Sequence, residues 1–253
     1  VNILGAPLVT PELIPILSQP VRVGLVGGTL IQDRRDDPAD SRRGVYNTVD
    51  VAFASGAFGS QTGFGRVVAR NSTYHRLSKS WVLARSTFFG AINRYAGLAD
   101  IPLAERFFSG GSSSHRAFPD NQAGPRDLTT GFPLGGRALF VNSVELRFPL
   151  IGDNIGGVLF NDMGNVYSRV GNINLRWHQR GLQDFDYGVQ SFGYGIRYKT
   201  PIGPVRVDLS LSPNSPRFFG FQGTREELLF GGGRQVVQRI NVFQFHFSLG
   251  QAF

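Results

Sequence analysis

Long segments of this sequence alternate between apolar and polar residues, and this alternation constrains the fold more than any other feature. In the last segment, the apolar residues share one parity: Phe243, Phe245, Phe247, Leu249 and Phe253. The positions of the other parity carry polar or small residues: Gln244, His246, Ser248 and Gly250. Because neighbouring side chains of a strand point to opposite faces, a period of two predicts strands with one apolar and one polar face.

The same pattern recurs along the chain and predicts nine strands. They lie near residues 21–32, 45–54, 63–74, 79–92, 137–148, 154–167, 192–199, 205–212 and 242–253. Most of them have about 10–14 residues, whereas a soluble strand has about 5–6 residues and a tilted membrane strand about 9–11. This length, and the charged residues opposite the apolar stripe, favour an all-β fold, an antiparallel transmembrane β-barrel. A large soluble β-sandwich is the alternative.

The predicted connections differ in length. Short turns are predicted at Pro149–Asn154 and Pro201–Pro204, and the long connections are Asp33–Arg43, Tyr95–Gly136, Ser168–Val189 and Pro213–Arg239. Short turns on one rim and long loops on the other are typical of bacterial outer-membrane barrels. Aromatic residues near the segment ends are predicted to form the girdles at the membrane interfaces: Tyr46, Tyr74, Trp81, Phe148, Tyr167, Tyr198 and Phe253.

The number of predicted strands is odd, whereas bacterial single-chain barrels have an even number. We therefore expect the chain to be the C-terminal part of a larger barrel. Residues 1–20 are predicted to be a loop that leads in from preceding strands. Residues 21–253 are predicted to be the C-terminal barrel region, with a long loop at 95–136 that folds inward.

The composition excludes several classes of protein. The absence of Cys excludes disulfides and thiolate metal sites, and no run approaches the roughly 20 apolar residues of a membrane helix. The net charge of +8 is compatible with nucleic-acid binding. The arginines are spread along the chain, however, whereas nucleic-acid binders cluster them on one face. We predict no nucleic-acid partner.

Catalytic and metal sites find no support in the sequence. The four histidines, His75, His115, His178 and His246, show no paired metal-ligand spacing. Ser112–Ser114 lie beside His115, but the G-x-S-x-G context of a nucleophilic serine is missing. We predict that the chain is not an enzyme and uses no metal and no cofactor.

Four segments together resemble a known family. They are ERFFSGGSSSHRAF at 105–118, VELRFP at 144–149, LFNDMGNVY at 159–167 and RYKTPIGPVRVD at 197–208. In order and spacing they are similar to motifs of the BamA-like bacterial surface-antigen superfamily, as is the C-terminal strand signal at 245–253. The resemblance implies the last strands of a barrel of about sixteen strands in the bacterial outer membrane.

The resemblance also implies a function. It predicts that the protein assembles or inserts outer-membrane proteins, or translocates polypeptides. The implied partners are the lipid bilayer, client β-barrel or secreted polypeptides, and periplasmic or lipoprotein accessory subunits. The alternative is a passive outer-membrane pore, or a barrel that anchors a catalytic N-terminal domain.

Two matched motifs predict a contact between the long loop and the wall. Asp162 and Phe160 share one parity, and Gly164 leaves room beside them. If that face is the lumen, an inward-folded loop brings Arg116 to Asp162 and Phe118 towards Phe160, and an Arg–carboxylate pair can be bidentate. The alternative is an ordinary surface Arg and an Asp in a turn. Ala117 stands where the family motif has Gly, so a positive φ at this position would be strained.

The last strand predicts a second mechanism. Unpaired N–H and C=O groups of an edge strand can recruit another strand. We therefore expect residues 242–253 to form one side of a lateral gate in the wall, with Gly250 near its weak end. The predicted gate and strand signal comprise Phe243, Phe245, Phe247, Leu249, Gly250 and Phe253. The alternative is that these residues are only an insertion signal and a lipid-facing wall.

Overall fold

The computed structural model describes residues 20–98, 100–152, 154–200, 203–223 and 233–250. The strands in these ranges are β1 (Leu25–Asp33), β2 (Gly44–Ala54), β3 (Thr62–Arg76), β4 (Val82–Gly97), β5 (Ala138–Ile151), β6 (Ile155–Tyr167), β7 (Val189–Tyr198), β8 (Val205–Leu211), β9 (Arg217–Gln222), β10 (Arg234–Arg239) and β11 (Phe243–Leu249). Of the predicted features, residues 1–19 of the lead-in loop and Phe253 lie outside the described residues. No helix in the described ranges has the length and apolar composition that are needed to cross a membrane.

Nine of these strands form one sheet, in the order β1-β2-β3-β4-β5-β6-β7-β8-β11. Every pair in it is antiparallel, because consecutive strands are joined as hairpins as far as β8. The predicted all-β, antiparallel fold with nine wall strands is therefore confirmed. The strands β3 to β6 have 13–16 residues, whereas β11 has 7.

The strands β9 and β10 form a separate two-stranded sheet. The sequence analysis predicted only a long connection at 213–239, so this hairpin corrects it. Each of its strands has only six residues, too few for a clear alternation. The hairpin is held to the rest of the molecule by Phe218, which packs in the main apolar cluster and lies under the guanidinium of Arg126.

The two faces of the nine-stranded sheet have opposite characters. On the outer face, apolar side chains are exposed, and Phe243, Phe245 and Phe247 of β11 have exposed fractions of 69%, 64% and 67%. On the inner face, polar side chains are buried, among them Ser72, Ser86 and Ser143. A membrane-embedded wall has this inverted pattern, since lipid contacts its apolar side.

The connection between β4 and β5, which we name the inner loop, lies against the inner face. Its residues Ala117, Phe118 and Ala123 are buried in one apolar cluster with Leu139 of β5 and Val166 of β6. The isolated bridge between Phe107 and Gly136 closes the base of the loop. The inner loop lies within the segment 95–136, which the sequence analysis expected to fold inward.

The rim of the sheet that carries the short turns also carries the connection at 34–43. Because the strands alternate in direction, β1–β2, β3–β4, β5–β6 and β7–β8 are joined at the same rim. The prediction that Asp33–Arg43 lies with the long loops at the opposite rim is therefore wrong. Hydrogen bonds from Arg34 to Val45 and from Asp36 to Arg43 continue the β1–β2 hairpin into this segment.

The predicted aromatic girdle is only partly correct. Trp81 stacks on Phe148 with a centroid distance of 5.1 Å, and Trp81 and Tyr198 are exposed. Tyr74 is instead buried on the inner face, and Tyr167, although it has the outward parity of β6, is buried where its hydroxyl donates to the carbonyl of Asn174. Tyr46 shares the inner face, where it is paired with Ser72 and covered by Arg35. Proximity to a strand end does not decide the face, since parity does.

Candidate functional site: the inner loop bound to the barrel wall

The strand β6 supplies the wall side of the site. Phe160, Asp162 and Gly164 alternate with outward residues and are all buried on the inner face. Gly164 has a φ of 140°, and a Cβ there would collide with the carbonyl oxygen of Phe140 in β5. Only glycine allows this close approach of the two backbones.

A compact turn presents Arg116 to the wall. Gly110 has a φ of 128°, and the amide of Gly111 donates to the carbonyl of Phe118 at 2.9 Å. The hydroxyl of Ser114 accepts from the amide of Gly110 and donates to its carbonyl. Ala117 is buried. Among the described residues, Asn121 is the only non-glycine residue with a positive φ, so the φ of Ala117 is not positive. The departure from the family Gly therefore brings no backbone strain at Ala117.

Arg116 makes a bidentate pair with Asp162. Its Nε lies 2.8 Å from Oδ2 and its Nη2 2.7 Å from Oδ1 of the carboxylate. The backbone amide of Arg116 also donates to Oδ2 at 3.0 Å. Both residues are almost completely buried, with exposed fractions of 2% and 0%. The guanidinium lies over the ring of Phe160, with 3.5 Å between its carbon and the ring centroid. The structure thus brings together Arg116, Asp162 and Phe160, whereas Phe118, which the sequence analysis expected towards Phe160, lies in an apolar cluster that does not include Phe160.

Two further carboxylates complete the site, and the sequence analysis missed both. Nη1 of Arg116 donates to Glu145 of β5 at 2.8 Å and lies 3.8 Å from Asp208 of β8. Arg147 pairs with Glu145 at 2.9 Å, and Arg197 pairs with Asp208 at 2.6 Å. The sequence contained a signal, since both acids lie within the VELRFP and RYKTPIGPVRVD segments and share the polar parity of their strands.

His115 anchors the loop beside this pair. Its Nε2 lies 3.2 Å from the carbonyl of Gly164 and 3.1 Å from that of Val189. Carbonyls only accept, so Nε2 carries the proton, and Nδ1 accepts from the amide of Ala117 at 3.4 Å. Both ring nitrogens are thus used in the neutral form.

Burial acts on the two charged groups of the loop in different ways. Burial lowers the pKa of His115, and the negative charge of Asp162 opposes this effect only in part. Burial also acts to lower the pKa of Arg116, but the charge of Asp162 and its hydrogen bonds outweigh burial, so the pKa is raised. Arg116 is therefore a permanent cation in this site, whereas His115 is neutral.

Phe118 anchors the loop through apolar contacts. It is fully buried in the main apolar cluster with Val141, Val189 and Tyr187. Its ring meets that of His115 edge-on at a centroid distance of 5.1 Å. Arg116 and Phe118 thus face different partners, the first a set of carboxylates and the second an apolar cluster.

The last strand of the sheet also contacts the loop. The carbonyl of Arg116 accepts from the hydroxyl of Ser210 in β8 at 2.5 Å and from Nε2 of His246 in β11 at 3.0 Å. The apolar side chains of β11 point away from the loop and are exposed. Beyond β11, Gly250 has a φ of 96° and donates to the carbonyl of Pro204 at 2.8 Å.

No group of His, Asp or Glu residues in the described part of the chain could hold a metal ion. The carboxylates of the site are bound to arginines, and Asp184 is bound to Arg176 at 2.9 Å. His75 and His178 are exposed and far apart in the sequence, whereas His115 and His246 bind backbone carbonyls. The arrangement holds the inner loop against the wall.

Comparison with known proteins identifies the family. A family model described as the Omp85 superfamily domain matches residues 25–253. The chain belongs to the Omp85 superfamily. This membership confirms the resemblance predicted from the four segments, together with the location in the outer membrane and the absence of enzymatic function.

Two curated relatives match parts of this Omp85 chain, and one of them is named as an assembly factor. The chain is 32% identical over 112 residues to the outer membrane protein assembly factor BamA of Nitratidesulfovibrio vulgaris, which covers 44% of this chain and 14% of that protein. It is 35% identical over 101 residues to a SAM50-like protein of Schizosaccharomyces pombe, which covers 40% of this chain and 19% of that protein.

A solved structure has the same fold. The crystal structure of BamA from Haemophilus ducreyi lacking POTRA domains 1–3 superimposes with a TM-score of 0.66 at 19% identity. The match covers 92% of this Omp85 chain and 46% of the solved one. The chain therefore spans less than half the length of each of these three proteins.

Proposed function

We propose that the chain forms the C-terminal wall of an outer-membrane barrel that assembles outer-membrane proteins or translocates polypeptides. The names of the BamA and SAM50-like relatives support this function class. The client is a β-barrel or secreted polypeptide, and accessory subunits from the periplasm or lipoproteins act as partners.

The inner loop acts as a lock on the wall in this proposal. Its Arg116 joins three strands by binding Asp162 of β6, Glu145 of β5 and, through its carbonyl, Ser210 of β8. Removal of one partner from a buried ion pair costs about 3–5 kcal/mol, so the loop holds these strands in one arrangement. Two further contacts strengthen the lock. Phe118 packs in the apolar cluster, and His115 donates a hydrogen bond to the carbonyl of Gly164.

The strand β11 acts as one side of a lateral gate. It pairs with β8 over seven residues, Phe243–Leu249, which is half the length of the longest wall strands or less. A strand this short forms few hydrogen bonds with a partner strand at its other edge, so a seam there has few bonds to lose when it opens. A client strand can then pair with the free edge by β-augmentation. Gly250, with its positive φ, ends the ladder at the short-turn rim.

One observation carries the proposal, namely that the loop is bonded directly to the gate strand through His246 and the carbonyl of Arg116. Opening of the seam therefore acts on the loop, and release of the loop acts on the seam. A passive pore or a membrane anchor has no need of such a link between its loop and its last strand.

The test is site-specific photo-crosslinking in the intact protein during assembly of a client barrel. A photoreactive residue at position 247 of β11 is compared with one at position 89 of β4. The side chains of Phe247 and Phe89 both face outward, but β4 is paired with a strand on each side. We expect client adducts at position 247 and few at 89. Equal yields at both positions, or none at 247, would contradict the gate.

A further inference from the structure

A row of polar side chains crosses the outer face of five neighbouring strands. In the register of the sheet, Gln32 of β1 lies opposite Asn47 of β2, and Asn47 lies opposite Asn71 of β3. The row continues through Thr87 of β4 to Asn142 of β5. All five have the parity of the outward, apolar residues, so the row interrupts the face that contacts lipid.

Most side chains of the row form hydrogen bonds with one another. The amide of Asn47 donates to Gln32 at 2.8 Å, and that of Asn71 donates to Asn47 at 2.6 Å. The hydroxyl of Thr87 donates to the side-chain oxygen of Asn142 at 2.9 Å. Such a ladder of neutral groups lowers the cost of placing polar atoms beside lipid.

Arg85 of β4 adds a charge to this row. Its Nε donates to Asn142 at 3.0 Å and its Nη2 to Thr87 at 2.6 Å, so two neutral acceptors orient the guanidinium. No carboxylate among the described residues forms an ion pair with Arg85, whereas the buried Arg116 and Arg197 of the inner face are paired. The cation of Arg85 is oriented but not neutralised.

The depth of Arg85 makes this charge unfavourable unless an anion reaches it. Trp81, stacked on Phe148, marks the aromatic belt at the short-turn rim. Arg85 follows Trp81 by four residues, which corresponds to about 13 Å along a strand, or roughly 10 Å along the membrane normal at a tilt of about 40°. A charged side chain at such a depth draws headgroups and water inward and thins the bilayer locally.

The surroundings select the chemistry of the anion. Leu83, Leu146 and Val144 lie beside Arg85 on the same outer face. The backbone of β4 is paired with β3 on one side and β5 on the other, so no strand of a partner protein can add here. An apolar surface next to an oriented guanidinium suits a molecule with acyl chains and a phosphate, which a guanidinium binds through charge-assisted hydrogen bonds.

We propose that Arg85, oriented by Thr87 and Asn142, binds the phosphate of a phospholipid headgroup on the outside of the barrel wall. The lipid comes from the leaflet at the short-turn rim. The site lies on β4 and β5, away from β11, and it is independent of the proposed assembly function.

The test uses the intact protein, freed of lipid in detergent and titrated with dioctanoyl phosphatidylglycerol while bound lipid is counted by native mass spectrometry. We expect Arg85→Gln to weaken the tightest lipid site about tenfold, the loss of one charge-assisted bond. Arg85→Lys retains the charge but not the two-pronged donor geometry of the guanidinium, and its affinity for the lipid should be intermediate. Arg180→Gln, at an exposed position of the loop between β6 and β7, is the matched control and should bind as the wild type does.

Two further measurements use the wild-type protein and test the phospholipid site even if Arg85→Gln does not fold. A dioctanoyl galactolipid, which lacks phosphate, should leave the site empty, and equal binding of this lipid would overturn the proposal. Inorganic phosphate at the same concentration should not displace phosphatidylglycerol. Displacement would mean a site for free anions and would equally overturn it.

Discussion

The carbonyl of Arg116 in the inner loop accepts a hydrogen bond from Nε2 of His246 in β11 at 3.0 Å, although 130 residues separate them in the sequence. The same carbonyl accepts from Ser210 in β8. One backbone atom of the loop is therefore bonded to both strands of the last antiparallel pair in the sheet. In the proposed function, this atom couples loop docking to the position of β11.

Removal of the histidine should loosen the loop. We expect His246→Ala to raise the maleimide labelling rate of Ala117→Cys, because Ala117 follows Arg116 and is fully buried when the loop is docked. The loss of one buried hydrogen bond, worth about 0.5–1.5 kcal/mol, corresponds to a several-fold faster rate. Ser248→Ala, two positions along the same face of β11, has no described hydrogen-bond partner at its hydroxyl and is the control. An equal rise in both variants would refute a specific link.

The pair of Arg116 and Asp162 should be strongly coupled. Each of Arg116→Gln and Asp162→Asn leaves a buried charge without its bidentate partner, and we expect a loss of about 3–5 kcal/mol in the free energy of unfolding. The double variant should lose less than the sum by at least about 1 kcal/mol, as measured by urea unfolding in lipid vesicles.

The charge swap, Arg116→Asp with Asp162→Arg, tests the same pair differently. It should restore only part of the stability, because Glu145 would then face the new carboxylate at position 116. If the double variants show neither coupling nor rescue, Arg116 and Asp162 do not act as a pair.

A methyl group at Gly164 should destabilise the wall locally. Gly164→Ala places a side chain at a φ of 140° and against the carbonyl of Phe140, so we expect a loss of about 1–3 kcal/mol or more. Gly28→Ala is the control, because no atom lies within 4 Å of a Cβ at that outward position of β1. The urea midpoint of both variants measures the difference, and a Gly164→Ala protein as stable as Gly28→Ala would contradict the described backbone.

The neutral state of His115 should make the protein less stable in mild acid. The pKa of His115 is lowered by burial in the folded chain, whereas it is about 6.5 in an unfolded chain. Below about pH 6.5 the unfolded chain takes up a proton that the folded chain does not, so stability falls as pH falls. The free energy of unfolding should therefore be lower at pH 5.5 than at pH 7.5, as measured by urea unfolding at both pH values.

The control for this pH dependence is His115→Gln, which removes the titrating group and keeps polar atoms near the carbonyls of Gly164 and Val189. Asp162 and Arg116, the charged groups that act on His115, remain in this variant. Its urea midpoint should change less with pH than that of the wild type. Identical pH profiles would show that His115 is not the group responsible.

The wall could be predicted from the sequence because lipid and lumen impose opposite demands on alternate residues of every strand. The nine strands of the large sheet, β1 to β8 and β11, could be located in this way. The same reasoning failed for the β9–β10 hairpin, whose burial depends on Phe218 and on a distant loop residue, Arg126. It also failed for Tyr74, where position near a strand end was weighed above parity, and for Tyr167, which has outward parity but contacts Asn174 of the β6–β7 connection.

The site could be predicted in outline but not in its charge balance. Arg116 and Asp162 lie in two recognisable segments, so their contact was an expectation. The participation of Glu145 and Asp208 depends on the register of β5 and β8 relative to β6, which the sequence does not give. His115 and His246 were missed because their partners are backbone carbonyls, which leave no signal in a sequence.

The polar row from Gln32 to Asn142 has a consequence for how the wall reaches its native state. A slip of one residue in β2 or β3 would turn the amides of that strand towards the lumen, and a slip of two would set them against valines or alanines. Only the native alignment joins Asn47 to Asn71. A slip of two leaves an unpaired amide in lipid, and a slip of one turns the apolar side chains of that strand towards the lumen. The row therefore stabilises the native register of these neighbouring strands as the barrel assembles.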